Sequence, residues 1–226
     1  MPKRNNRPDA RSRLIQAGIE IFAENGFNAT TTRMLADKAQ VNLSAIPYYF
    51  RSKEGLYQAT VEHIADVLGG HLVPFLERIS ATPAGELDPP AARALLGEGL
   101  SAMISVMCGD PGTMPFSKII LREQMPPTAA FDRIYPKVMA RILEAFSTLI
   151  AAATGETDRR ECSLQAILFI GQVMVFRAGR ATVTRRLGME GYTPAEIEEI
   201  QAGVVSRAMA ALDFMAARRP DLEDSA

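Results

Sequence analysis

Residues 31–55 read TTRMLADKAQVNLSAIPYYFRSKEG and predict two short helices joined by a tight turn, followed at once by the start of a third helix. This layout is typical of a helix-turn-helix, which places its second helix in the major groove of DNA. Apolar residues at helical spacing can hold the helices together: Met34, Leu35, Ala39, Val41, Ile46 and Phe50. Polar residues remain that can face a duplex: Thr31, Thr32, Arg33, Asn42, Ser44, Tyr48, Tyr49 and Lys53.

The start of the second helix of this motif is suited to contact with base edges. Leu43, Ser44 and Ala45 are small or apolar and can approach closely, and an apolar side chain suits a thymine methyl group. Asn42, just before them, can hydrogen-bond a base edge or a phosphate. Arg33 is the arginine that we expect to reach a guanine from this module.

Other residues of the motif suit the phosphate backbone, which receives half or more of protein–DNA hydrogen bonds. Thr31 and Thr32 lie at the start of the first helix, where free N–H groups and the helix dipole favour a phosphate. Tyr48 and Tyr49 can donate their hydroxyls to phosphate oxygens, although they also fit a role as core or rim aromatics. Lys53 lies in the first turn of the next helix, where a cation is unfavourable for the helix itself. It fits either an approaching phosphate or a solvated surface charge.

The charge of the chain is unevenly distributed, although its net charge is only −1. Residues 1–53 carry nine Lys/Arg and four Asp/Glu, while residues 54–226 carry sixteen and twenty-two. A cationic N-terminal part on an anionic remainder is what local binding to a polyanion requires. The chain as a whole is not a general electrostatic binder of nucleic acid.

The sequence favours a cytoplasmic globular protein. The N-terminus has charges but no apolar core of a secretory signal. The longest nearly apolar run, residues 166–176, is too short to span a bilayer and predicts a buried helix. The only cysteines, Cys108 and Cys162, are expected to be reduced and buried rather than joined in a disulfide.

Helical periodicity recurs throughout, and strand-type alternation is missing, so the sequence predicts an all-α fold of about nine helices. We expect a three-helix helix-turn-helix domain at residues 1–55, a larger helical ligand-binding and dimerisation domain at 56–220 and a disordered tail at 221–226. A Pro/Gly-rich linker is expected at 80–90. The predicted helices are 9–25, 32–39, 43–49, one from 52 through 75, 91–108, 115–124, 128–153, 158–186 and 195–217.

The N-terminal part resembles the TetR family of transcriptional regulators. The residues that carry this resemblance are Phe22, Gly26, Thr31, Leu35, Ala36, Ala39, Val41, Tyr49-Phe50, Ser52-Lys53-Glu54 and Leu56. The C-terminal part is similar to the CecR-like branch of that family. Its matching stretches are Leu121-Arg122-Glu123-Gln124, Phe131-Asp132, Phe169-Ile170-Gly171-Gln172 and Arg185-Arg186-Leu187-Gly188.

The resemblance implies a homodimeric, all-helical, repressor-like regulator that binds a palindromic operator in double-stranded DNA, with a small-molecule pocket and the dimer interface in its C-terminal part. The family's DNA-contacting positions fall on Thr31, Thr32, Arg33, Asn42, Leu43, Ser44, Ala45, Pro47, Tyr48, Tyr49 and Lys53.

Two residues depart from the family pattern. Gln40 stands at the turn position where the family usually has Gly, and a left-handed conformation there would cost about 1 kcal/mol. Pro47 stands where the family often has Tyr or Asn. In a helix that begins at residue 43, Pro47 removes a backbone hydrogen bond, so we expect a kinked or shortened recognition helix.

The C-terminal part offers candidates for an effector site and for a dimer interface. Adaptable apolar residues and embedded polar ones could line a ligand cavity, although the apolar ones also fit an ordinary core. The candidates are Met103, Met107, Phe116, Arg122, Phe131, Phe169, Gln172, Phe176 and Arg177. The two arginines could meet an anionic ligand group or form ion pairs with Glu123 or Glu161. The predicted helices 158–186 and 195–217 have broad apolar surfaces that could pair across a two-fold axis.

An enzyme is not expected. His63 and His71 are eight residues apart without supporting carboxylates, and no nucleophile elbow, phosphate-binding glycine loop or metal-spaced cluster occurs. We therefore expect no cofactor, no metal and no membrane partner. The alternative to a DNA-binding regulator is a helical ligand-binding or protein-interaction module whose helix-turn-helix no longer reads specific DNA. The sequence leaves the effector, the operator and the direction of the effector's action open.

Overall fold

The computed structural model describes residues 9–80, 87–109 and 111–218, with the backbone alone at 80 and 111. The predicted tail at 221–226 and most of the predicted linker at 80–90 lie outside these ranges. The regular structure of the described ranges is helical, which confirms the all-α prediction. The helices are α1 (Ala10–Ala29), α2 (Thr32–Ala39), α3 (Ala45–Phe50), α4 (Lys53–Ser80), α5 (Pro89–Ile104), α6 (Met114–Gln124), α7 (Phe131–Ile134), α8 (Ala140–Thr154), α9 (Arg159–Ala178), α10 (Arg180–Leu187) and α11 (Pro194–Ala217).

The chain forms two compact units, and neither is continuous in sequence. The first contains Met1–Gly70 and Met114–Val138, and the second contains His71–Thr113 and Met139–Ala226. The first unit extends beyond the helix-turn-helix because α6 packs along α1. The predicted domains, 1–55 for DNA binding and 56–220 for ligand binding and dimerisation, concern function and differ from these compact units. That division stays a prediction.

In the first unit, local capping explains where α1 and α2 begin. The Asp9 carboxylate accepts from the backbone N–H of Ser12 at 2.7 Å, and this bond lowers the pKa of Asp9. The Thr31 hydroxyl oxygen accepts from the N–H of Met34 at 3.2 Å. α1 continues to Ala29, beyond its predicted end, across a break at Gly26, whose φ is 76°.

The buried faces of α1, α2 and α3 form a small core that orients the recognition helix. Leu14, Phe22, Leu35 and Ile46 are almost completely buried there. α3 has only six residues and cannot persist alone, so this packing holds it in place. One side of α3 is thereby buried, and its opposite side stays exposed.

The second unit is a helical bundle around one apolar core. α5, α8, α9 and α11 contribute large buried side chains such as Leu96, Phe146, Phe169 and Leu212. By length and composition alone, Pro89–Gly109 and Arg159–Ala178 could each cross a membrane, but core helices of soluble bundles pass the same test. The cysteines are free and buried as expected, and burial raises the pKa of both thiols.

The structure corrects two of the predicted helices in this half of the chain. The helix expected at 128–153 begins at Phe131 and passes through a π-helical segment, Tyr135–Met139, before α8. The helix expected at 158–186 is broken at Gly179 into α9 and α10, where a Cβ atom would lie 2.9 Å from the Val175 carbonyl oxygen. The run 166–176 was expected to be buried, but only one side of it is, because Ile167, Leu168 and Val175 are exposed.

Candidate nucleic-acid interface

The outer side of α3 and of the turn before it is open to solvent. Tyr48 is 80% exposed, Leu43 is 50% exposed and Tyr49 is 41% exposed, while Ile46 and Phe50 face the core. The rings of Tyr48 and Tyr49 meet edge to face, with their centroids 4.8 Å apart. This open side is the first requirement for a helix that enters a DNA groove.

Pro47 does not kink the recognition helix, which instead is shortened at its start, one of the two outcomes expected from the sequence. α3 begins at Ala45, two residues later than predicted, so Pro47 is its third residue. Backbone N–H groups in the first turn have no partner four residues earlier, and proline loses little there. The Leu43 carbonyl, which a residue at 47 would otherwise reach, instead accepts from Ile46 N at 3.3 Å.

Gln40 adopts the left-handed conformation that the turn requires, with φ 53° and ψ 49°. Its N–H bonds back to the end of α2, and its carbonyl oxygen accepts from the Arg13 guanidinium at 3.1 Å. A non-glycine residue in this region carries a cost of about 1 kcal/mol. The surrounding hydrogen bonds therefore hold a locally strained turn directly before the recognition helix.

The polar residues at the start of α3 are partly engaged with one another. The Asn42 side-chain oxygen accepts from both the backbone N–H and the hydroxyl of Ser44, each at 3.0 Å. An open groove of about 540 Å³ passes beside these residues. It is lined by Ala10, Arg13, Gln40, Val41, Asn42, Ser44, Ala45, Tyr48 and Tyr49.

Lys53 has structural partners that the sequence did not reveal. Its ammonium donates to the carbonyl oxygens of Phe27 and Thr30, each at 2.9 Å, and lies 4.3 Å from the centre of the Phe27 ring. These carbonyls belong to the end of α1, where a cation is favourable. The position of this cation is thus explained without a phosphate, and its contact with DNA stays a prediction.

The remaining predicted contacts lie around α3. Thr31 and Arg33 are exposed at the start of α2, and Thr32 is partly exposed. Arg51, directly after α3, is exposed with φ 68°. Arg11 of α1 lies over the ring of Phe50 at 5.6 Å from its centre. The outer side of the motif therefore combines an uncharged helix with cations at its margins.

Two consecutive residues of α6 bind the helix-turn-helix region within the first unit. The Arg122 guanidinium donates to the carbonyl oxygens of Phe22, at 2.5 Å, and Glu24, at 3.4 Å. These carbonyls become accessible beside the break of α1 at Gly26. The arginine thus binds backbone oxygens of α1, where we had expected an ion pair or an anionic ligand.

Glu123 of α6 is almost completely buried, and it accepts hydrogen bonds from α4 and from the segment that follows α6. One of its oxygens accepts from the Tyr57 hydroxyl of α4 at 2.6 Å. The other accepts from Thr128, from N–H at 3.1 Å and from the hydroxyl at 2.8 Å. Burial and the neighbouring carboxylate raise the pKa of Tyr57 well above its ordinary value. The Leu121–Gln124 motif pointed to this region, but no pattern in the sequence paired its glutamate with a tyrosine 66 residues away.

The predicted effector residues are divided between the two units. Phe116, Arg122 and Phe131 belong to the first unit. In the second unit, Phe169 is fully buried, and Met103, Met107 and Phe176 pack against the same core. Arg177 is buried and donates to the Val106 carbonyl at 3.1 Å and to the Thr113 hydroxyl at 2.7 Å. The side-chain oxygen of Gln172 is buried without a hydrogen-bond partner among the described residues.

The two helices predicted to pair across a two-fold axis differ in their free surfaces. α9 exposes an apolar stripe at helical spacing, in which Leu164, Ile167, Leu168 and Val175 are 44–53% exposed. The apolar side of α11 is directed into the core of its own unit, as shown by the burial of Ile200, Val204, Ala208 and Leu212. The exposed apolar stripe is therefore that of α9, while α11 exposes Phe214 near its C-terminal end.

The chain is similar to known regulatory proteins over most of its length. Residues 14–60 match the model for bacterial regulatory proteins of the tetR family. Residues 92–215 match the C-terminal domain of the HTH-type transcriptional dual regulator CecR. CecR of Shigella flexneri is 36% identical over 199 residues, which cover 86% of this chain and 87% of that protein. The HTH-type transcriptional regulator BetI of Yersinia pestis (strain Pestoides F) is 31% identical over 99 residues, which cover 44% of this chain and 48% of that protein.

Solved structures of low sequence identity share the fold. A transcriptional regulator from Rhodococcus sp. Rha1 superposes with a TM-score of 0.59 at 20% identity, over 90% of this chain and 97% of that chain. A TetR transcription regulator from Haloarcula marismortui has a TM-score of 0.57 at 18% identity, over 89% and 97%.

Proposed function

The chain belongs to the TetR family of DNA-binding transcriptional regulators and is of the CecR type, and from this premise we propose how it acts. It binds a palindromic operator as a homodimer in the cytoplasm, and a small molecule in its helical C-terminal part changes its affinity for DNA. The observation that carries the proposal is the open outer side of α3, which is uncharged and bordered by the cations of α1, α2 and the α3–α4 turn.

The proposed homodimer forms through α9. Its exposed stripe of Leu164, Ile167, Leu168 and Val175 has open space at Gly171, so a second helix can approach closely there. A two-fold pair of such stripes buries apolar surface on both chains. Two recognition helices related by that axis then bind two half-sites whose centres are separated by one turn of the DNA helix, or by a whole number of turns.

The proposed route of regulation runs through α6. This helix lies in the segment that matches the CecR C-terminal domain, yet it packs on α1, which lies in the tetR-family segment. Arg122 and Glu123 connect it to the end of α1 and the first turns of α4. An effector that prefers a shifted position of α6 would thereby favour a different placement of α3, since a ligand shifts the equilibrium toward the state it binds better.

Selection of bound DNA from a random pool tests the proposal. We expect a two-fold symmetric sequence whose affinity falls steeply with salt, by a slope of about 0.9 per phosphate neutralised. Addition of candidate small molecules to the selected complex then tests regulation. A protein that enriches no sequence, or binds without dependence on salt, would instead be a helical module that no longer reads DNA.

Two matched variants locate the binding surface. Leu43→Glu places a negative charge on the outer side of the recognition turn, and Leu187→Glu places the same charge on α10, where the leucine is 58% exposed. Only the first variant should lose operator binding, because only that leucine faces the duplex. Equal loss in both variants, or in neither, contradicts the assignment of α3 as the reader.

A further inference from the structure

The recognition helix of this chain lacks the side chains that usually read bases. Its sequence is AIPYYF, and the exposed residues on it are Pro47, Tyr48 and Tyr49. The commonest specific contacts are made by Arg or Lys to guanine and by Asn or Gln to adenine. The cations of the described motif, such as Arg33 and Arg51, lie before and after α3. Any contact between α3 and the base edges must therefore be made by side chains that are neither charged nor amides.

Asn42 cannot supply the missing adenine contact in its observed conformation. A bidentate contact requires its amide oxygen to accept from the base while its nitrogen donates. That oxygen already accepts two hydrogen bonds from Ser44, one from N–H and one from the hydroxyl. The Ser44 hydroxyl uses its only proton in the same contact. The amide N–H groups of Asn42 and the hydroxyl oxygen of Ser44 stay available, but neither of them alone makes the bidentate contact to adenine.

Leu43 and Pro47 are the apolar groups that this arrangement presents outward. Leu43 is 50% exposed, and Pro47 is also exposed, four residues later. The hydrogen bond from Ile46 N to the Leu43 carbonyl, at 3.3 Å, places Leu43 in a tight turn directly before α3, and Pro47 lies in the first turn of that helix. If this turn enters the major groove, its apolar side chains meet base edges that are mostly polar. The apolar group exposed there is the methyl group of thymine.

We propose that Leu43, flanked by Pro47, recognises the C5 methyl group of a thymine in each half-site, and that this apolar contact is the main direct base contact of the recognition helix. The inference rests on the proposed function, because it concerns the operator that α3 enters. The cations around α3 other than Arg33 supply attraction to phosphate, which carries no sequence information, and Arg33 lies on α2 rather than on the recognition helix. The thymine contact supplies the discrimination.

Removal of single methyl groups from the operator tests this assignment. In the operator obtained from the random pool, each thymine is replaced in turn by deoxyuridine, symmetrically in both half-sites. Deoxyuridine lacks only the C5 methyl group and keeps every hydrogen-bonding group. At one or two positions per half-site, we expect affinity to fall about fourfold per half-site, the value of one buried methyl group of about 0.8 kcal/mol. Substitution at the other thymines should have little effect.

Two protein variants connect that effect to the residue. In Leu43→Ala, the loss caused by deoxyuridine at the sensitive position should shrink to less than about twofold, because the side chain that contacts the methyl group is gone. Leu187→Ala makes the same change at an exposed leucine of α10 and should keep the full sensitivity. Both leucines are exposed, so neither substitution should unfold the protein.

The outcomes separate this inference from the function on which it rests. A symmetric operator that tolerates deoxyuridine at every thymine would overturn the inference and leave the proposed function intact. Undiminished sensitivity in Leu43→Ala would overturn the assignment to this leucine. Failure to select any operator would count against the proposed function itself, and with it against the thymine contact.

Discussion

Tyr57→Phe removes the hydroxyl that donates to the buried carboxylate of Glu123 at 2.6 Å and leaves the ring in place. Tyr57 is 8% exposed and Glu123 is 3% exposed, so water cannot easily replace the lost donor. A hydrogen bond to a charged group contributes about 1.5–3 kcal/mol, and we expect destabilisation of that size. With a urea m-value of about 1–3 kcal/mol/M, the midpoint of unfolding should fall by about 1 M.

The same pair predicts a distinctive dependence on pH. The pKa of Tyr57 is raised in the folded protein, chiefly by burial and then by the carboxylate of Glu123. Above about pH 10 the unfolded chain therefore releases this proton while the folded chain keeps it. Folding stability must fall as pH rises through that window, by at most about 1.4 kcal/mol per pH unit from this group. Tyr57→Phe lacks the group, so its difference from the wild type should shrink above pH 10.

Tyr135→Phe is the matched control, because Tyr135 lies in the same unit but is 45% exposed. Urea unfolding followed by circular dichroism, at pH 7 and at several values above 10, measures all three proteins. We expect the control to change stability by less than about 0.5 kcal/mol at pH 7. If Tyr57→Phe matched the wild type at pH 7 and lost stability equally at high pH, the hydrogen bond from Tyr57 to Glu123 would not stabilise the first unit.

Three further substitutions test other parts of the structure. Pro47→Tyr should leave the circular dichroism spectrum unchanged and alter operator affinity, and identical affinity in a gel-shift titration would count against α3 as the reader. Gln40→Gly should raise the free energy of unfolding by about 0.5–1 kcal/mol, because glycine adopts φ 53° without strain and the carbonyl bonded to Arg13 is kept; a decrease in chemical denaturation would refute this. Ile167→Glu should give a folded monomer in sedimentation, since it places a charge within the α9 stripe, and an intact dimer would exclude this interface.

The sequence predicted the helix-turn-helix closely because its determinants are local. The Thr31 cap, the buried spacing of Leu35 and Ile46 and the left-handed turn at Gln40 are all fixed within a few residues of one another. Of the two effects expected from Pro47, a kink or a shortening, only the shortening occurs, for an equally local reason. A two-residue error in the start of α3 moved the proline from the first helical turn to the interior, where its energetic cost is much larger.

Contacts between segments that are far apart in the sequence could not be predicted from local sequence patterns. Lys53 bonds to carbonyls 23 and 26 residues earlier, and Arg122 bonds to a carbonyl 100 residues earlier. Helical periodicity identifies a buried face but not the partner that covers it. The sequence therefore left Lys53 between a phosphate and a surface charge, and Arg122 between a ligand and an ion pair. The break at Gly179 was missed for a similar reason, since the apolar pattern continues across it and only the close approach to the Val175 carbonyl reveals it.

The footprint of the protein on its selected operator shows directly whether two α3 helices contact the DNA as a symmetric pair. Hydroxyl-radical cleavage of that duplex should show two equivalent protected segments about one helical turn apart, or a multiple of it, each centred on a half-site. Both protections should disappear with Leu43→Glu and persist with Leu187→Glu. A single unsymmetric protection, or a pattern unchanged by the first variant, would contradict a symmetric pair of α3 helices as the DNA-reading element.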